Sequence, residues 1–296
     1  MPAAERHPTP SNRLGMDGIE FIEFTTSQPL ILGALLEQMG FRPVARHRSR
    51  EVLLYRQGGM NLVVNAHPGA VRADEAGQPA TALGAMAFRV ASAADAHRQT
   101  VALGAWDLPT RAAAMELIIP GIRGAGDSHI YFVDRHEEFS IYDVDFTPIQ
   151  GADPHPPAVT GMHYFGVVQT AYPERTAAWV EFYQTLFGFT VLPSGKFFGV
   201  VNKGVLLESP CRKMFLQLIE PPEGAQDITW EEGLLRIGLG TPAVPATIQA
   251  LQARGIVFVD RGPIQASDRG AVTQLYAGGV SFELVHSHLP VFGERG

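Results

Sequence analysis

The stretch Leu36-Glu-Gln-Met-Gly-Phe41 comes back in the second half of the chain as Gln184-Thr-Leu-Phe-Gly-Phe189. In both places a helix ends and a Gly-Phe turn follows. A chain that repeats itself folds as copies of one small unit, and the surrounding pattern shows which unit. Gly18–Phe24 alternates apolar and polar residues as a strand does. Pro29–Met39 carries Leu32, Leu35, Leu36 and Met39 at helical spacing and stops at Gly40. Short strands are expected at Glu51–Arg56 and Asn61–Asn65. The order then restarts with a strand at Ala85–Val90, a helix at Ala93–Leu103 and a stop at Gly104, followed by strands at Met115–Ile119, His129–Val133 and Phe139–Phe146. The second half repeats the plan. His163–Gln169 is a strand and Glu174–Phe187 a helix ended by Gly188, with strands at Phe197–Asn202, Val205–Glu208 and Met214–Ile219. Leu234–Gly240 is a strand, Val244–Ala253 a helix ended by Gly255, and Thr273–Tyr276 and Ser281–His286 close the chain. Four β-α-β-β-β units, two in each half, make an α+β protein. The units are too long and too few for a solenoid. Paired units of this kind curl into a half-open barrel, whose mouth suits a small ligand.

Residues 1–16, rich in Pro, Ser and charge, read as a mobile tail. Four prolines between 148 and 158 forbid both a helix interior and a central strand. The expected division is therefore a first domain over 17–150, a linker over 151–159 and a second domain over 160–290. With 46% apolar and 18% charged residues, each half can bury a core of its own. A formal charge of −7 argues against a nucleic-acid partner, which needs a clustered basic surface. No run of about 18 apolar residues is present to span a membrane. The first residues lack the apolar stretch of a secretory signal. A single cysteine, Cys211, leaves no internal disulfide and fits a reducing, cytoplasmic setting; it reads as a small semi-buried residue. Trp179, Phe182, Tyr183 and Phe187 recur at helical spacing and read as core.

The residues narrow the fold further. Gly18–Phe24, Met39-Gly-Phe41, Arg46-His-Arg-Ser49, Leu54-Tyr-Arg-Gln-Gly58, Asn61–Asn65, Gly84–Arg89, Gly121-Ile-Arg-Gly124, Val133-Asp-Arg135 and Ser140–Phe146 resemble, in order and spacing, the first domain of bacterial 4-hydroxyphenylpyruvate dioxygenases. The resemblance is strong over 16–150 and continues at lower identity over 160–288. It implies the vicinal-oxygen-chelate (glyoxalase-like) fold, with a structural first domain and a catalytic second one. In that family two His and one carboxylate hold a ferrous ion on one face, leaving the opposite positions for a chelating 2-oxo acid and O2. His163, early in the strand Met162–Val168, matches the first His. Glu283, in Ser281-Phe-Glu-Leu-Val285, matches the carboxylate. At the second His stands Arg236, in Gly233-Leu-Leu-Arg-Ile-Gly-Leu239.

A guanidinium has no lone pair to give and stays protonated, so Arg236 is no ligand, and its charge repels a ferrous ion. The resemblance thus implies Arg236 at the old metal position, pairing with Glu283 where iron once did. Gln217, in Phe215-Leu-Gln-Leu-Ile219, corresponds to a glyoxalase ligand position and offers a weak neutral oxygen for a rebuilt site with His163 and Glu283. His286 or His288 could also be considered, but alternation puts His286 on the face opposite Glu283. Gln274, in Thr273-Gln-Leu-Tyr276, matches a family glutamine that touches ligand, while the family's glutamine before its second His is Leu235 here. The family's closing helix is not met before Gly296, so water is expected to be poorly excluded from the site. The remaining histidines have no partner at metal-ligand spacing.

Three functions stay open: an iron dioxygenase with a rebuilt site, a binding or auxiliary protein that kept fold and cavity, and a lyase or isomerase. In the last, Arg236 would hold a carboxylate while His163 works as acid or base. The family-implied cofactor is Fe(II), the expected ligand a small, aromatic 2-oxo acid or related carboxylate, and a homo-oligomer is compatible with the sequence.

Overall fold

The computed structural model describes residues 12–71, 80–109, 117–136, 139–196, 198–201, 203–221, 230–260 and 265–287. The first half opens with β1 (Ile19–Thr25), α1 (Pro29–Gln38), β2 (Arg42–His47), β3 (Val52–Gln57) and β4 (Met60–Asn65). It goes on with β5 (Ala82–Arg89), α2 (Ala93–Ala102), β6 (Gly121–Arg123), β7 (His129–Val133), α3 (Ile141–Asp145) and β8 (Phe146–Pro148). The second half contains β9 (His163–Thr170), α4 (Thr176–Phe187), β10 (Thr190–Val191), β11 (Val205–Glu208) and β12 (Phe215–Ile219). It closes with β13 (Gly233–Thr241), α5 (Val244–Gln252), β14 (Gly270–Val272) and β15 (Phe282–His286).

These strands form an eight-stranded sheet, β6-β7-β5-β1-β4-β3-β2-β8, and a seven-stranded sheet, β10-β11-β12-β9-β13-β15-β14. One rule builds both. The strand that opens a unit pairs in parallel with the strand that closes it: β1 with β4, β5 with β7, β9 with β12 and β13 with β15. The two openers of each sheet then pair antiparallel, β1 with β5 and β9 with β13. A parallel closure needs a crossover, and each unit's helix supplies it. The glycines that stop those helices, Gly40, Gly104, Gly188 and Gly255, all take positive φ (98°, 98°, 76° and 93°), the left-handed turn that only glycine enters freely. The repeated Gly is thus the repeated hinge of the fold, which is the α+β vicinal-oxygen-chelate arrangement.

Strand alternation sends one face of each sheet to the helices. There a single core draws on both halves: Phe24 meets Phe282 at 6.4 Å between ring centroids, and Phe187 meets Phe88 at 5.4 Å and Phe132 at 6.3 Å. Trp179, Tyr183 and Phe187 are buried in that core, with Phe182 partly buried against it, and the Tyr183 hydroxyl donates to Gln169 Oε1 at 2.7 Å. The opposite, open faces carry separate small clusters, Phe21, Leu54, Val63 and Tyr142 in the first sheet and Val168, Phe198, Leu206 and Val285 in the second.

Five expectations change. Over Phe139–Phe146, read as a strand, Ile141–Asp145 is a helical turn instead, because Ser140 and Asp143 cap it reciprocally, the Ser140 N–H donating to Asp143 at 2.8 Å. Where Phe197–Asn202 was expected as a strand, Phe198–Val200 form a bend and turn, with Phe197 and Asn202 outside the described residues. At the end, Gly270–Val272 rather than Thr273–Tyr276 is the strand, and Thr273 and Tyr276 make only isolated bridges. Near the start, Leu14 and Met16 are buried in the core, so packing begins inside the stretch read as a tail, of which residues 1–11 lie outside the described residues. Of Met115–Ile119, residues 117–119 are described and form no strand. Among the described residues no helix is long and apolar enough to cross a membrane.

Candidate functional site

Three strands lay out the open face of the seven-stranded sheet around β13. His163 on β9 pairs with Gly240, and Glu283 on β15 pairs with Gly238. Arg236 lies one alternation further along β13, opposite Val168, and Val168 pairs on its other side with Gln217 of β12. The predicted residues His163, Arg236, Glu283 and Gln217 therefore share one face, although they come from four strands.

Arg236 and Glu283 form a buried ion pair, Nη1 to Oε2 at 3.4 Å, with the carboxylate fully buried and the guanidinium nearly so. The other carboxylate oxygen accepts the backbone N–H of Val200 at 2.9 Å and of Val201 at 3.4 Å. Gln217 reaches the same segment: its Nε2 donates to Val201 O at 3.0 Å and to Lys203 O. Glu283 and Gln217 thus hold the 198–203 segment across the face. Gly199 makes the approach possible, since its φ of 49° favours glycine and a Cβ there would lie 2.3 Å from Glu283 Oε1. Burial raises the Glu283 carboxyl above its ordinary pKa, opposed first by Arg236 and then by the two amides.

The segment also delivers Phe198, which sequence reasoning gave only a strand role. Its ring is fully buried and lies over Gly238, where a Cβ would meet it at 2.1 Å, and beside Gly166, where a Cβ would meet it at 3.0 Å. Phe165 packs against it at 5.0 Å, edge to face. The only sequence signal for this ring is the lack of side chains at Gly166 and Gly238 on adjacent strands, a hollow that something from elsewhere must fill.

His163 sits over Gly240, whose Cβ would lie 2.3 Å from its Nε2. Its Nδ1 donates to Gly161 O at 3.1 Å, and its Nε2 then accepts from the Ser287 hydroxyl at 3.1 Å. Burial holds the imidazolium below its ordinary pKa, opposed by the Gly161 carbonyl. The neutral ring is favoured in the folded chain, so its contribution to stability is complete above pH 6.5 and is lost as pH falls through the lowered folded value. Denaturant unfolding between pH 8 and pH 5 checks this: the parent is expected to lose stability on acidification more steeply than His163→Gln. Equal slopes would show that His163 titrates alike in both states.

Gln274 does not join the group. It is exposed, and its backbone N–H bonds to Val257 O at 2.9 Å, so the chain has already left the sheet. His286 is exposed and His288 lies outside the described residues. Three buried atoms of the group, Gln217 Oε1, Arg236 Nε and Glu283 Oε2, have no hydrogen-bond partner among the described residues. Leaving such atoms dry is costly, so they mark a place where a polar ligand or water gains.

The ferrous ion implied by the resemblance does not fit these side chains. Both His163 nitrogens are engaged, the Phe198 ring covers Gly238, the β13 partner of Glu283, and a guanidinium stands beside the carboxylate. Among the described residues no three His, Cys, Asp or Glu side chains are grouped to hold a metal ion.

Comparison with known proteins agrees with the layout. A family profile described as hydroxyphenylpyruvate dioxygenase, HPPD, N-terminal, matches residues 11–147. The 4-hydroxyphenylpyruvate dioxygenase of Pseudomonas sp. (strain P.J. 874) is 36% identical over 199 residues, which are 66% of this chain and 56% of that protein. The chain thus spans little more than half of that relative. The enzyme of the same name from Pseudomonas aeruginosa is 31% identical over 261 residues, 84% of this chain and 72% of that protein. Among solved structures, a xylose isomerase-like TIM barrel/4-hydroxyphenylpyruvate dioxygenase fusion protein matches 97% of this chain and 51% of its own, with a TM-score of 0.73 at 23% identity, a likeness of fold. With two dioxygenases of that name above 30% identity, one aligned over most of both chains, this chain belongs to the 4-hydroxyphenylpyruvate dioxygenase family.

Proposed function

We propose that this member of the family handles a small carboxylate, an aromatic 2-oxo acid or a close relative, without iron-dependent dioxygenation. One observation carries the reading: Arg236 meets Glu283 at 3.4 Å, so the carboxylate that would anchor a ferrous ion has a cation of the protein's own. Arg236 Nε–H, buried and unpartnered, is the natural donor to an incoming carboxylate, and a guanidinium suits that shape. Gln217 Oε1 and Glu283 Oε2 are acceptors for a hydroxyl or enol on the same ligand. A ligand there replaces Phe198 over Gly238, and the amides of Val200 and Val201 leave Glu283 as it enters. His163 stands at the edge of this space, where its Nε2 lone pair can take a proton from a ligand that displaces Ser287.

Anaerobic titration with ferrous iron tests the reading, together with oxygen uptake and calorimetric binding of 4-hydroxyphenylpyruvate. The expected result is no stoichiometric iron, no uptake above the buffer rate, and binding of the acid that Arg236→Met abolishes. Stoichiometric iron binding with oxygen uptake restores the dioxygenase reading.

A second reading is favoured by the fusion protein, which matches nearly all of this chain with about half of its own. In that reading the chain is an auxiliary half that serves a separate TIM barrel. Failure to bind any small carboxylate, with the fold intact, is the result that favours it.

A further inference from the structure

Where α3 and residues 154–155 meet the open face of the eight-stranded sheet lies a cavity of about 570 Å³, apart from the Arg236 group. Register sets Arg56, Asn61 and Phe21 in one row across β3, β4 and β1. Arg89 follows two residues after Ala87, the partner of Phe21 on β5, and so shares the face. Glu20 joins them because the register slips between Ile19 and Phe21, and such a bulge re-aims a side chain. Asn61 Nδ2 then donates to Glu20 Oε1 at 3.1 Å. Arg89 Nε donates to Glu20 Oε2 at 2.5 Å, and Arg56 Nε to Asn61 Oδ1 at 2.8 Å. Two guanidiniums thus end one hydrogen-bonded chain, each fixed by its Nε.

The two ends differ in charge. Buried Glu20 cancels the charge of Arg89. Arg56 meets neutral oxygens, Asn61 Oδ1 and Pro154 O at 3.3 Å, and lies over the Tyr142 ring at 5.0 Å. It is therefore held in place with no carboxylate partner among the described residues, and a guanidinium already oriented loses little entropy on meeting an anion. Of five N–H donors each, Arg56 keeps three and Arg89 four. A single carboxylate, with about four lone-pair sites, cannot take them all. The three outer oxygens of a phosphate ester suit them better. The buried Tyr142 hydroxyl, kept protonated by burial and then by the Glu20 charge, has no partner at hydrogen-bond geometry among the described residues. Exposed Arg48 adds a positive charge at the rim, and Asp143, which caps α3, a negative one. His136 and His155 line the cavity as well. Leu54 and Phe146 give it an apolar side, and its volume leaves room for one ring beyond the phosphate.

We propose that this cavity binds a small phosphate monoester, its phosphate on the Nη groups of Arg56 and Arg89. The site does not rest on the carboxylate reading of the second half. Calorimetric titration of the full chain at low salt with phenyl phosphate tests it, against benzoate, which has the same ring on a carboxylate, and against inorganic phosphate, which has no ring. Phenyl phosphate is expected to bind with a Kd of about 1 mM or tighter, and each of the others at least about tenfold more weakly. Arg56→Gln is expected to weaken phenyl phosphate about tenfold, and Arg56→Lys, which keeps the charge but not the fork, about fivefold. Thermal melts check that both variants fold. Should neither fold, slower amide exchange in β3 and α3 on adding phenyl phosphate to the parent locates the site instead, and unchanged exchange there counts against it. No binding up to about 10 mM, binding of benzoate or inorganic phosphate equal to that of the ester, or ester binding unchanged in Arg56→Gln overturns the proposal.

Discussion

Arg236→Met is expected to destabilise the chain by about 3–5 kcal/mol at pH 8, the usual cost of breaking a buried pair by removing one partner. The methionine fills much of the space, so the loss is electrostatic rather than a cavity effect. Glu283 is left with the Val200 and Val201 amides and no cation. Its carboxyl, already raised by burial, is pushed further up when Arg236 goes. A raised folded value favours the neutral acid, so the penalty is absent at low pH and grows as pH rises through the folded pKa. The deficit of Arg236→Met is therefore expected to shrink steadily from pH 8 to pH 5, while the parent, in which Arg236 opposes the rise, changes less from this source. Arg236→Met with Glu283→Leu removes both charges and is expected to regain most of the loss, because a buried pair can be replaced by apolar side chains at little cost. Denaturant unfolding of parent, single and double variants at three pH values checks all of this. A pH-independent deficit, or no recovery in the double variant, would mean that the ion pair does not hold the carboxylate's charge.

The second large effect concerns iron. Arg236→His restores two His and one carboxylate in sequence, yet on its own it is expected to raise iron affinity only slightly. Phe198 still lies over Gly238, the β13 partner of Glu283, and no ion occupies the same space as a phenyl ring. Arg236→His with Phe198→Ala removes both obstacles, and the double variant is expected to bind ferrous iron at least about tenfold more tightly than either single variant. Turnover is expected to remain low, since the contacts that would orient the ligands are not restored. Anaerobic titration followed by competition with a chelator measures it. Full recovery in Arg236→His alone would show that Phe198 yields readily, and no gain in the double variant would place His163 or Glu283 outside reach of a shared ion.

Much of the fold was legible because its signals are local. Apolar alternation and a glycine after each helix are written in consecutive residues, and each helix stop lies where that glycine predicts. The departures come where local preference and local capping disagree. Ile141-Tyr-Asp-Val-Asp145 has strand-like side chains, but Ser140 and Asp143 close a capping box around it, and the cap prevails. Phe198–Val200 likewise look extended, yet Gly199 turns left-handed and Glu283 takes the amides that a strand would have paired. For the site, the pairing of Arg236 with Glu283 was readable through the family resemblance, which sets the two residues at positions that would share one ion. Phe198 was not, because its place depends on a segment that crosses the face from outside the ladder. Gln274 was placed by its match to a family motif, and the strand that would have presented it ends at Val272.

The core that crosses from one sheet to the other bears on what this chain can lose. Phe187 of the second half packs on Phe88 and Phe132 of the first, and Phe282, next to the site's own Glu283, packs on Phe24. A lineage that abandoned the chemistry of the second half could not discard the half itself, because the first would be left with a bare apolar wall. Catalysis can decay here one side chain at a time while the scaffold stays obligatory. Such a scaffold remains available for a new ligand to take over.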